Sequence, residues 1–114
     1  MQASRNDISK MALILALYAA FFFLVFPSQA QDTGAALFKA KCAACHGADG
    51  KGETTMGKAN KLRDLASPDV QKQSDAEFTT IIESGRNKMP AYGKSLKPDQ
   101  VKDLVTFIRS LAKK

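Results

Sequence analysis

An all-α fold of three to five short helices joined by long loops is what this sequence predicts, and three observations carry it. Apolar residues recur at helical spacing over 78–82 and 101–111, those stretches have start and stop signals, and no period-two alternation of strand length appears anywhere. The chain has 114 residues, 45% of them hydrophobic and 25% charged. That is the composition of one ordinary globular domain, neither disordered nor collagen-like.

The elements follow in chain order. Arg5 and Lys10 precede an unbroken apolar run, Met11 to Phe26, which leads into Pro27, Ser28, Gln29 and Ala30. This is the order of a secretory signal peptide, 1–30, with cleavage expected after Ala30. The run holds 16 residues. As a helix it would measure about 24 Å, against about 30 Å for a hydrocarbon core. The other reading is an uncleaved anchor, with Arg5 and Lys10 on the cytoplasmic side. Either way the domain at 31–114 is exported, which places it in the periplasm. No cysteine lies near the cleavage point to carry a lipid.

Asp32 and Thr33 offer cap oxygens ahead of a first helix over 34–41. From Gly47 to Lys61 the chain carries four glycines and few apolar residues, which reads as an irregular loop. Asn60 to Leu65 is expected to make a helical turn, and Pro68 to Gln71 a second one. Ser74-Asp75-Ala76-Glu77 is a capping box. It opens a helix with Phe78, Ile81 and Ile82 on one face and Gly85 as its stop. Pro90 and Gly93 make 86–96 a loop, with Met89 held extended by the proline after it. The last helix begins at Pro98, and Val101, Leu104, Val105, Ile108 and Leu111 form its apolar stripe. Lys97 lacks a cap oxygen, so fraying of the first turn by about 1 kcal/mol is expected.

Without residues 1–30 the domain has 84 residues with 15 basic and 10 acidic side chains, a net charge of +5. Cores of this size rarely supply more than about 3–5 kcal/mol of stability, so a staple is expected. A disulfide between Cys42 and Cys45 would close almost no loop and stabilise little. One histidine excludes a multi-histidine metal site. Two cysteines exclude both a four-cysteine zinc site and a cysteine-held iron–sulfur cluster.

Cys42-Ala43-Ala44-Cys45-His46 sets two thiols and an imidazole at i, i+3 and i+4, on one side of a helical turn. The thiols can add to the two vinyl groups of a porphyrin edge while the imidazole reaches the iron. The motif uses every cysteine and the only histidine. A thioredoxin-like dithiol would want a βαβ setting, and a zinc site would need a fourth ligand.

The chain resembles a small bacterial class I cytochrome c. The resemblance rests on Cys42-Ala43-Ala44-Cys45-His46, on Gly34 and Phe38 before it, on Gly85 followed by Met89-Pro90-Ala91-Tyr92, and on Phe107 in the last helix. It implies a cytochrome c fold around one covalently bound haem c, with the first and last helices crossing at close quarters. Gly34 and Phe38 would then face Leu104, Phe107 and Ile108. Many members also carry a proline a dozen residues after the histidine, whose carbonyl accepts the imidazole's other proton. None stands near Lys58, so some other acceptor is expected for His46.

With His46 the only histidine, the sixth iron ligand is a methionine, a lysine, a terminal amine, water or nothing. Met56 lies ten residues from His46 and Met89 lies 43 away. A ligand for the opposite haem face comes from chain that has travelled around the porphyrin, which favours Met89, and the resemblance favours it too. Met56 reads as flexible apolar filler near the haem edge. A saturated iron leaves no substrate site, so the expected function is one-electron transfer by a monomeric carrier that is not an enzyme.

Lys39, Lys41, Lys51, Lys58, Lys61, Lys88 and Lys94 flank the expected haem edge. They would suit an acidic patch on a membrane oxidase or reductase, or would serve solubility alone. No base-reading motif for nucleic acid is present. Two other functions stay open. One is a haem sensor or peroxidase-like protein with a labile sixth position; the other is an accessory subunit of a terminal oxidase, membrane-tethered through residues 11–26.

Overall fold

The computed structural model describes residues 4–23 and 29–113. Its first helix, α1 (Arg5–Phe23), exposes Leu13, Leu17 and Phe21 to solvent. No helix among the described residues is long and apolar enough to cross a membrane. Pro27 and Ser28 of the expected cleavage stretch lie outside the described residues.

Six helices follow: α2 (Gln29–Lys41), α3 (Ala43–His46), α4 (Thr55–Ala59), α5 (Pro68–Gln71), α6 (Asp75–Ser84) and α7 (Pro98–Leu111). The fold is all-α, as expected, and no strand occurs among the described residues. The count exceeds three to five because α3, α4 and α5 are single turns of four or five residues. The expected turn over 60–65 is not helical. Lys61 there adopts a φ of 53°, and the helical turn sits one segment earlier, in α4. The Thr54 side chain starts α4 by accepting from the Gly57 amide at 2.8 Å.

α2 crosses α7 closely enough that a methyl group on Gly34 would lie 2.2 Å from the Asp103 carbonyl oxygen. Only glycine permits that approach. Phe38, 2% exposed, meets Phe107 with ring centroids 5.0 Å apart. The predicted stripe of α7 is buried in full, and Phe78 and Ile82 of α6 complete the same core. Arg109 of α7 ties the start of α6 down: its Nε donates to Asp75 at 2.8 Å and its guanidinium lies 4.6 Å from the Phe78 ring centre.

α6 opens with the predicted capping box, the Ser74 amide donating to the Glu77 carboxylate at 2.6 Å. Gly85, at a φ of 74°, ends it. At the start of α7 the Gln100 side chain reaches back to accept from the Lys97 amide at 2.9 Å. Lys97 itself offers no oxygen to the first-turn amides, as expected.

Candidate functional site

α3 is set by its own backbone. The Cys45 and His46 amides both donate to the Cys42 carbonyl, at 3.2 and 2.9 Å, and Gly47 at a φ of 80° stops the turn. Thr54 donates its hydroxyl to the Cys45 carbonyl at 2.6 Å, pinning the next loop beneath the motif. Cys42, Cys45 and His46 thus project from one tight turn at the end of α2.

Met89 reaches the same place from the other side. Gly85 redirects the chain as it leaves α6. A turn then closes by paired backbone bonds, Arg86 amide to Met89 carbonyl at 3.1 Å and Met89 amide to Arg86 carbonyl at 2.9 Å. Asn87 at its tip takes a φ of 54°, a region asparagine tolerates.

All four predicted residues, Cys42, Cys45, His46 and Met89, line one cavity of about 550 Å³. Phe38 of α2, Ile82 of α6 and Leu104 of α7 give it an apolar side. Met56 does not line it and is 53% exposed on α4.

Both cysteines are free, half-buried thiols. Burial pushes the Cys42 thiol up to about 11, so it stays protonated at neutral pH. Burial also lowers His46 below its ordinary value, keeping the imidazole neutral with a lone pair to give. Its Nδ1 is buried with no hydrogen-bond partner among the described residues, so the expected acceptor for that nitrogen is not found.

Five cationic side chains line the cavity, Lys41, Lys61, Arg63, Arg86 and Lys88, and no carboxylate does. Three of the lysines anticipated around the site are therefore at it. Lys39, Lys51, Lys58 and Lys94 are exposed but do not line it. Arg63 and Arg86 were missed. Each lies next to an expected cavity segment, and counting arginines with lysines would have found them.

The sequence motif around Met89 ends in Tyr92, a residue with no function legible from sequence. It lines the cavity, and its hydroxyl donates to the Lys41 carbonyl at 3.1 Å.

The donor set fits a covalently held haem. Two thiols can take its vinyl groups, a neutral imidazole and a thioether sulfur share one apolar chamber, and cations without acids suit its two carboxylates. The orphaned Nδ1 belongs to a ring whose other nitrogen is left for a metal.

The comparisons with known proteins agree. The family model described as "Cytochrome C oxidase, cbb3-type, subunit III" matches residues 29–108. The chain is 34% identical over 108 residues to cytochrome c6 of Gloeothece citriformis, covering 90% of this chain and 93% of that one. Against cytochrome c6 of a Nostoc species the identity is 33% over 103 residues, covering 87% and 90%. It is also 35% identical over 83 residues to the cbb3-type cytochrome c oxidase subunit FixP of Azorhizobium caulinodans. That match covers 72% of this chain and 27% of that one.

Proposed function

This chain belongs to the c-type cytochromes as a small monohaem class I member that carries electrons on a covalently bound haem c, and on that premise we propose that His46 and Met89 would hold its iron. The observation that carries the assignment is the single cavity that Met89 shares with Cys42, Cys45 and His46 while Met56 stands outside it.

When bound, the haem supplies one-electron exchange between Fe(II) and Fe(III). The chain does the rest. Cys42 and Cys45 would hold the porphyrin edge through thioethers formed by adding their thiols to its vinyl groups. His46, kept neutral by burial, offers a nitrogen lone pair without first losing a proton. Met89 offers a soft, neutral sulfur that favours the ferrous state and raises the reduction potential relative to a second nitrogen. Phe38, Ile82 and Leu104 give the haem an apolar side, and Lys41, Lys61, Arg63, Arg86 and Lys88 would meet the negative charge of its carboxylates and of a docking partner.

With His46 and Met89 both given to the iron, no site would remain there for a substrate. The only histidine is spent as a ligand, so none is left as an acid–base group to cleave a peroxide bond. The protein is therefore a carrier and not an enzyme. Residues 1–30 direct its export, and it works in the periplasm between membrane oxidases or reductases with acidic docking patches.

The test is the absorption spectrum of the matured protein, ferric and ferrous, with and without carbon monoxide. A low-spin spectrum in both states, a weak red sulfur-to-iron band when oxidised and no response to carbon monoxide are expected. A high-spin or carbon-monoxide-binding iron would give the sensor or catalyst reading its place.

The likeness to FixP over 83 residues favours one second reading, a carrier committed to a terminal oxidase. Extraction without detergent separates the two. A free carrier enters the supernatant, and a tethered subunit stays with the membranes.

A further inference from the structure

The loop that bears Met89 is bonded through its backbone chiefly to the element it has just left. The Tyr92 amide donates to the Ile82 carbonyl at 2.9 Å and the Gly93 amide to Glu83 at 3.0 Å, both on α6. Paired bonds close the Arg86–Met89 turn on itself. The opposite side of the cavity, with Cys42, Cys45 and His46, belongs to a different part of the chain. The Tyr92 hydroxyl reaches across to it, donating to Lys41 from 51 residues away. Lys41 is the last residue of α2 and immediately precedes Cys42.

We propose that the Tyr92 hydroxyl is a positioning group that straps the Met89 loop to the helix end carrying Cys42, and so sets how often Met89 leaves the iron. This rests on the reading of Met89 as the axial ligand. The ring of Tyr92 packs against the core and would do so equally as phenylalanine. Its hydroxyl is what spans the two segments. Burial raises the phenol above its ordinary value, so the hydroxyl remains a donor at neutral pH.

In the haem-loaded ferrous protein carbon monoxide binds only when Met89 has left, so its association rate counts the open fraction. Tyr92→Phe keeps the ring and removes the strap. It is expected to keep the low-spin spectrum at neutral pH and to raise that rate about fivefold, the factor an ordinary net hydrogen bond is worth. Ser74→Ala, which removes a helix cap outside the cavity at a similar cost to overall stability, is expected to leave the rate unchanged.

An unchanged rate in Tyr92→Phe, or an equal rise in Ser74→Ala, would overturn the strap. The two readings fail differently. Wild-type protein that binds carbon monoxide as fast as Met89→Ala removes the ligand assignment and the strap with it. Slow wild-type protein with an unchanged Tyr92→Phe variant removes the strap alone.

Discussion

Two methionines after residue 30 could reach a haem, and their surroundings set them apart. Met89 is half-buried against the core and lines the cavity, whereas Met56 is 53% exposed on a single helical turn. Met89→Ala is expected to abolish low-spin six-coordination and lower the potential by a sizeable part of the roughly 0.8 V that axial ligands span. Met56→Ala is expected to keep both, and redox titration with spectra of the two variants checks the assignment. At this scale the motif residues could be grouped because they are neighbours in sequence, and that Met89 shares their cavity was expected of chain that returns from a distance. The task of Tyr92 was not. Its partner is a backbone carbonyl 51 residues away, and every carbonyl in a sequence looks alike.

Helices whose signals are local were read well, and those made by contact were not. α6 announces itself through Ser74, Glu77 and Gly85, and α7 through Pro98 and five apolar residues in one stripe. α4 was read as loop because its stabilisers are a threonine cap and the close approach of Gly57 to the Gly52 carbonyl. Lys97 gives α7 no cap oxygen, as its sequence says, while the bond from its amide to the Gln100 side chain is a contact that the sequence does not announce.

Two expectations belong to these elements. A methyl group on Gly34 meets the α7 backbone at 2.2 Å, where no side chain can swing aside. Gly34→Ala is therefore expected to cost at least about 1–3 kcal/mol, read by denaturant unfolding of the haem-loaded protein. The second concerns acid. The Ser74 amide, and then its hydroxyl, hold the Glu77 carboxyl below its ordinary value of 4.5. A depressed carboxyl stabilises the fold above its unfolded value and loses that contribution as pH falls through the depressed one. Glu77→Gln keeps a cap at every pH, so its thermal midpoint should fall less steeply than wild type below pH 4.5.

Over the whole molecule, sequence alone said that a small domain needs a staple, and the structure shows where the need arises. Helices α2 and α6 both pack on α7, yet Phe38, Ile82 and Leu104 also line a chamber of about 550 Å³ beside that packing. The crossing of α2 with α7 came only from family resemblance, because no local pattern tells which helices meet. Charge is the other property of this scale. The chain carries a net +6, and its five cavity-lining cations have no carboxylate among them. A field of one sign around the exposed edge of a redox centre raises encounter rates with acidic partners by about 10- to 1,000-fold at low salt. Solubility alone would not care where those cations sit. Lys88→Glu reverses one of them, and its stopped-flow rate of electron exchange with an acidic redox protein should fall about tenfold at low ionic strength. Near 1 M salt the Debye length shrinks to about 3 Å, so the variant and wild-type rates should converge. Equal rates at all salt concentrations would reduce the cavity-lining cations to solubility and to the haem carboxylates, with no part in choosing a partner.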